Sequence, residues 1–426
     1  MVGRLAIGAV LAIALGLAGR AHAQEGEEGD SAESVTATAV MLLEGGATAG
    51  QGATVSIGLR RGLSEVGGVR FVHPVDVLSP TPFDEDVQFA IEELEPLADQ
   101  VRNGDARDAA ERADRIVELF EQRLEAVRRE QLVDAHMLAA AARCQMRRAR
   151  ECEEGFARVL VFREGQEYDA SRYPPGAQEA FDRARARTLA GPRGTLVVET
   201  DPAGAEIYVD GRSYGPSPVR VDGLLRGDHY VTIKHLGYER VIRRATLEGN
   251  ESRVRYDLAP NERAQLVASQ EFQRVLRGEL GEERAGANLR SLGNTLGAAQ
   301  VIVGVVRPIG DHEMHVQVWL YDIRTRFLLA TREGTITHDE AGMVTARQMA
   351  IDLYRGVDLG GAIAAPEDDD GPGGPHERSP ELWEQWWFWT AVGVVLVAGG
   401  VGIGAGVAAS SPGVPDGWTR ASGTLP

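Results

Sequence analysis

Between residues 194 and 258 apolar and polar positions alternate with the period of half-buried strands: Leu196 and Val198, then Ile207 and Val209, stand among polar neighbours. Turn residues punctuate the alternation. Pro202 cannot donate to a ladder and Gly204 tolerates positive φ, so residues 201–204 read as a tight turn. Asp210-Gly211 is a short hairpin signal, and Gly215-Pro216-Ser217-Pro218 interrupts pairing again before Val219 and Val221. A strand with Val231 and Ile233, a turn at Gly237-Tyr238, a strand around Val241 and Ile242, and residues 254–258 complete the run.

Elsewhere the pattern changes period. Residues 35–43 form an apolar β-branched run, residues 53–63 place Val55, Ile57, Leu59 and Leu63 on a helix, and residues 69–74 read as a strand stopped by Pro74. This predicts one β-α-β unit over 35–80, right-handed if its strands are parallel neighbours. Residues 83–188 are helical in pattern, with Ile116, Leu119, Phe120, Leu124 and Val127 at helical spacing and Asn103-Gly104-Asp105 as a turn. Residues 132–144 and 150–162 predict a helical hairpin; Tyr173-Pro174-Pro175 separates it from a last helix over 177–187. Over 262–356 two helices precede a buried strand at 300–306, alternating strands at 315–321 and 327–331, and a closing helix at 345–355. The early unit lacks strand partners of its own. We expect it to complete the later sheet, which would make residues 86–260 an insertion.

The ends predict a compartment. Arg4, the apolar run 5–18 and Ala21-His22-Ala23 have the order of a secretory signal over residues 1–23, with an uncleaved anchor as the alternative. Residues 386–409 are almost wholly apolar and long enough to cross a bilayer as one helix; a hydrophobic helix in a soluble core is the alternative. Trp383, Trp386, Trp387 and Trp389 would anchor its border at the membrane interface. Before it, residues 360–382 read as a disordered acidic Pro/Gly linker. The expectation is a single-pass inner-membrane protein with most of its chain in the periplasm. The expected fold class is multidomain α+β: an α/β domain, a helical hairpin region, a small β-sandwich and a C-terminal transmembrane helix.

Composition narrows the chemistry. A net charge of −18 argues against nucleic acid as a partner. Lys234 is the sole lysine among 45 basic residues, a skew that signals no ligand. The two cysteines, Cys144 and Cys152, leave three readings open: a disulfide if residues 145–149 turn the hairpin, two buried thiols, or metal or redox chemistry, although seven intervening residues fit no common zinc or redox motif. His312-Glu313-Met314-His315 lacks the His-Glu-x-x-His spacing of a zinc helix. Gly45, Gly46, Gly50 and Gly52 lack a phosphate-loop lysine, and residues 368–370 read as a solvated acidic run. His229 and His235 read as ordinary strand-face residues. No catalytic set, cofactor or metal site is expected.

The residues from Gly194 through Asp201-Pro202-Ala203-Gly204-Ala205 to Asp210-Gly211 and onward to Leu258 resemble the PEGA domain, a small β-sandwich module of bacterial envelope and surface proteins. Pro202, Ala203, Gly204 and Ala205 stand where that domain carries Pro-Glu-Gly-Ala. Ala135, Leu138, Ala139, Ala142, Ala149, Phe156, Ala157 and Leu160 resemble the small-large pattern of one tetratricopeptide repeat. The Leu-Gly-Ala-Ala run before residue 300 and Tyr321-Asp322-Ile323-Arg324-Thr325 are similar to the α/β part of periplasmic translocation and curli-secretion proteins. These resemblances imply a non-catalytic, membrane-anchored periplasmic adaptor or scaffold for envelope proteins or cell-wall glycan. The alternative is an oligomerising component of an envelope export or assembly machine; self-association is left open. An exposed aromatic patch on the sandwich would favour glycan, and an apolar groove in the helices would favour a protein or peptide.

Overall fold

The strand β1 (Thr36–Glu44) lies at the heart of a sheet, and its partners come from both ends of the chain. The structure, a computed structural model, describes residues 35–44, 49–310 and 312–357. After β1 come α1 (Ala49–Leu63), β2 (Val69–Val72) and the short α2 (Pro74–Leu78). The helical unit follows: α3 (Glu85–Glu92), α4 (Leu94–Asn103), α5 (Ala106–Gln122), α6 (Arg129–Gln145), α7 (Ala149–Phe162) and α8 (Gln178–Leu189). Seven strands come next: β3 (Arg193–Asp201), β4 (Glu206–Val209), β5 (Arg212–Pro216), β6 (Val219–Leu225), β7 (Gly227–Lys234), β8 (Val241–Leu247) and β9 (Glu251–Asp257). The chain then forms α9 (Glu262–Ala268), α10 (Gln270–Gly278), α11 (Ala287–Thr295), β10 (Gln300–Pro308), β11 (Glu313–Asp322), β12 (Leu328–Thr337) and α12 (Glu340–Leu353).

Strand order in the first sheet is β12-β11-β10-β1-β2. β1 runs parallel to β2 and to β10, with Thr38 opposite Gln300 and Leu43 opposite Val305, while β10, β11 and β12 are antiparallel. β10 is buried along residues 300–306, as a central strand covered on both faces must be. On one face Val55, Leu59 and Leu63 of α1 and Ala346, Ala350 and Leu353 of α12 pack on Val40, Ile302, Val316 and Val318. On the other, Phe272, Leu276, Leu289 and Leu292 of α10 and α11 pack on Met41, Leu43, Val301 and Tyr321. The run 262–280 is two helices because Ser269 ends one and caps the next, its Oγ accepting from the Phe272 N–H at 3.2 Å.

α1 and α12 cross closely because α1 has glycine at the contact. A Cβ on Gly58 would lie 2.5 Å from the Ala346 Cβ and 2.6 Å from the Met343 carbonyl oxygen. Gly58→Leu should therefore force the helices apart and destabilise the unit by ~1–3 kcal/mol or more, read as a lower denaturant midpoint. An unchanged midpoint would mean that the crossing adjusts freely.

Helices cover a five-stranded sheet and border a two-sheet sandwich, so the described residues are mixed α/β, and the expected fold class with its C-terminal transmembrane helix is corrected. Among the described residues no helix is long and apolar enough to cross a membrane. The longest, α5 and α6, have 17 residues each, fewer than the ~20 apolar residues a crossing needs, and both carry several charges. The runs at 1–23, 360–382 and 386–409, with Trp383, Trp386, Trp387 and Trp389, lie outside the described residues, as do Gly45, Gly46 and residues 368–370.

In the helical unit the central helix α6 is buried on nearly every side, its alanines allowing α5 and α7 to approach. Cys144 and Cys152 form a disulfide across the α6–α7 turn, with their Cα atoms 5.1 Å apart. The seven strands β3–β9 make two facing sheets, β6-β3-β9 and β5-β4-β7-β8, around Leu196, Val198, Ile207, Val209, Val221, Val231 and Ile233. Asp210 and Gly211 both have positive φ, 53° and 78°, the requirement of a primed two-residue hairpin turn between β4 and β5.

Candidate functional site

The turn at Pro202, Ala203, Gly204 and Ala205 joins β3 to β4 and is tied across the sandwich to Ser217. The Gly204 N–H donates to the Ser217 carbonyl at 2.9 Å, the Ser217 N–H to the Ala205 carbonyl at 2.7 Å, and the Ala205 N–H to the Ser217 Oγ at 3.1 Å. Gly204 has φ 90°, and Ala205 is fully buried. These four residues are structural: they close one end of the sandwich.

The more informative chemistry lies where the sandwich meets the rest of the chain. Alternation along β4 sends Ile207 and Val209 into the sandwich core and Glu206 and Tyr208 to the opposite face. That face is covered by α1. Arg60 of α1 forms an ion pair with Glu206, donates to the Tyr208 hydroxyl, and donates to the Ser213 Oγ at 3.2 Å. Its guanidinium lies 5.2 Å from the Tyr208 ring centroid, and the Lys234 Nζ lies 5.1 Å from it. Lys234 donates to Asp76 of α2 at 2.6 Å. His73, the N-cap of α2, contacts the second oxygen of Glu206 through its Nε2 at 3.1 Å.

Burial pushes the Glu206 carboxyl upward, but hydrogen bonds from His73 and Arg60, with the charge of Arg60, outweigh it and hold the group at about 2. Burial lowers the pKa of His73 and of Lys234, incompletely offset by Glu206 and Asp76 respectively. The Tyr208 hydroxyl is raised by burial and by the neighbouring carboxylate. Beside this cluster the Ser79 Oγ donates to the Glu239 carboxylate at 2.6 Å, and Asn261, the N-cap of α9, donates to its other oxygen at 2.9 Å.

A second joint binds the sandwich to the helical unit. The Tyr230 hydroxyl of β7 donates to Glu121 of α5, which also contacts the His136 Nε2 at 3.3 Å and Arg244 at 3.3 Å. The rings of Phe162 and Tyr230 meet edge to face at 4.9 Å. Arg129 reaches across to Gly211 and donates to the Phe162 carbonyl at 2.7 Å. Most polar atoms of the two joints satisfy one another, which suits holding parts in register; the buried Asp76 Oδ1 and Arg129 Nε have no hydrogen-bond partner among the described residues.

An open feature lies on the helical unit. α3 and α5 border a groove of about 360 Å3 lined by Phe89, Ala90, Ile116 and Leu119, with Asp86 and Glu93 on one wall and Arg112 and Arg115 on the other. Phe89 is 66% exposed and the nearby Phe83 82%. Arg112 is held by Glu93 and Gln100, whereas Arg115 has no ion-pair or hydrogen-bond partner among the described residues.

His312 and Glu313 are exposed at the start of β11, and no group of three or more His, Cys, Asp or Glu residues converges as metal ligands among the described residues. His229 is not an ordinary face residue: it is 1% exposed and bonded to Asp210 at 2.6 Å and to the Leu225 carbonyl at 2.7 Å. Sequence reasoning missed Arg60, His73, Glu206, Tyr208 and Lys234 as a set, because strand alternation alone assigns Glu206 and Tyr208 to solvent. The one available signal was the isolated Lys234.

A comparison with curated proteins returns no match for this chain. A comparison with known families matches residues 193–262 to the PEGA domain. The seven-stranded sandwich, with its Pro202-Ala203-Gly204-Ala205 turn, is therefore a PEGA domain set between the helical unit and the five-stranded sheet.

Proposed function

We propose that this chain is a non-catalytic scaffold of the cell envelope, in which the PEGA domain fixes the helical unit against the five-stranded sheet and the α3–α5 groove takes a protein partner. The observation that carries this reading is the distribution of exposed apolar side chains. Among the described residues none of the exposed large hydrophobics lies on the sandwich, and its tyrosines are buried or half-buried, which disfavours a stacking platform for glycan. Phe89, 66% exposed, instead lines the helical groove. Its occupant is a protein segment with an apolar side chain for Phe89, Ile116 and Leu119 and a carboxylate for the unpaired Arg115. An extracytoplasmic location is supported by the signal-like order of residues 1–23 and by the PEGA domain itself.

The test is proximity crosslinking of the full chain in intact cells, with mass spectrometry of the captured proteins, comparing wild type with Phe89→Glu and Arg115→Glu. Both variants should fold normally, because the two side chains are exposed, yet lose one protein that wild type captures by roughly tenfold or more. Equal capture by all three would remove the groove from the proposal. A second reading, a self-associating component of an assembly machine, is favoured by β12, a ten-residue edge strand with exposed Leu329 near its start. Crosslinks dominated by other copies of the chain, and unaffected by Phe89→Glu, would move the conclusion to it.

A further inference from the structure

We propose that His73 is a proton-sensitive latch: it holds the PEGA domain against the five-stranded unit while its imidazole is neutral and releases it when the ring takes a second proton. The argument begins with the two ring nitrogens. The Val75 N–H donates to Nδ1 at 3.2 Å, so Nδ1 must be an unprotonated acceptor. Nε2 then carries the single proton and donates it to the Glu206 Oε2 at 3.1 Å. The neutral ring thus satisfies both contacts. A proton arriving from solvent can only go to Nδ1, where it would face the Val75 N–H donor to donor and remove the cap of α2.

The surrounding charges oppose it as well. α1 brings Arg60; β4 brings Glu206 and the Tyr208 hydroxyl; β5 brings the neutral Ser213; β7 brings Lys234; α2 itself brings Asp76; and Arg240 lies 3.6 Å from Asp76. From β2 comes only the Phe71 ring, edge-on at 5.7 Å. Three cations already face two carboxylates, and each carboxylate is engaged. Charging His73 would make it four against two in a site where His73 is 14% exposed.

His229, in the same sandwich, has the opposite construction. Its Nδ1 faces the Asp210 carboxylate and its Nε2 the Leu225 carbonyl, so two acceptors await two protons. Burial pulls its pKa down, but the hydrogen bond and charge of Asp210 prevail and raise it. Stability contributed by His229 is complete below its ordinary value of 6.5 and lost as pH rises through the raised value. His73 is depressed, so its contribution is present above 6.5 and lost as pH falls through the lowered value. Acidification therefore spares the sandwich at His229 and loosens its attachment at His73.

The test uses the full chain. Since Cys144 and Cys152 are bonded to each other, Glu248→Cys and Glu333→Cys add two labelling sites, one on the sandwich and one on β12. Energy transfer between the dyes is followed from about pH 7.5 to about pH 5, the range in which histidines titrate. We expect the efficiency to change with a midpoint below 6.5. In His73→Gln, which can still donate to Glu206 but cannot charge, the change should vanish. In Lys234→Met, which removes one opposing cation, the midpoint should move to higher pH. A flat wild-type profile, a change that persists in His73→Gln, or a midpoint unmoved in Lys234→Met would each overturn the proposal.

Discussion

Glu206→Leu should destabilise the junction between the PEGA domain and the α/β unit by ~3–5 kcal/mol, because it leaves the Arg60 guanidinium desolvated beside His73 without its counter-charge. The loss should appear as a lower denaturant midpoint for the full chain. Arg60→Met combined with Glu206→Leu should recover part of it, since an apolar pair of similar volume no longer buries an isolated charge. The pH dependence follows from the same carboxylate. Its folded value of about 2 lies below the ordinary 4.5, so its contribution is present above 4.5 and lost as pH falls towards 2. If the double variant loses the sum of what Glu206→Leu and Arg60→Met each lose alone, the pair is not coupled and the charge pairing does not hold the joint.

A comparable loss is expected within the helical unit. Phe156 of α7 is fully buried, edge-on to Phe181 at 5.4 Å and to Tyr168 at 6.1 Å. Phe156→Ala should cost ~3–5 kcal/mol, the sum of lost transfer energy and a cavity that three neighbouring helical segments cannot close together. Calorimetric melting of the full chain would show it as a lower first transition. A loss under ~1 kcal/mol would mean that the unit collapses around the gap, and the helical region would then be softer than its alanine-rich packing indicates. Since Phe156 does not line the α3–α5 groove, a stable fraction of this variant should retain whatever binding the groove supports.

Much of the architecture follows from local pattern. The alternation around Ile207 and Val209, the Asp210-Gly211 turn and the Pro202–Gly204 corner identify the sandwich, because hairpins are decided by residues within about ten positions of one another. The Ser269 break inside 262–280 was equally local, yet it was missed because a helical apolar period continues through it. Gly58 had a visible signal too: glycine inside a helix is unfavourable unless something approaches closely there. The α3–α5 groove could not be read at all. Phe89 has the same residue type as the buried Phe120 and Phe156, and it is exposed because no helix covers it among the described residues.

By itself, then, the sequence determined the period of each segment, the turns of the PEGA domain and the acidic character of the chain. The tertiary structure alone decided which faces meet. Thr38 and Gln300 are paired although 262 residues separate them, and no local preference encodes such a partnership. Glu206 and Tyr208 occupy positions that strand alternation assigns to water; α1 and α2 cover them, and burial converts an ordinary carboxylate and imidazole into a joint. The physical reason is that periodicity reports which side of an element is apolar, whereas burial, charge pairing and pKa depend on what another element lays over it.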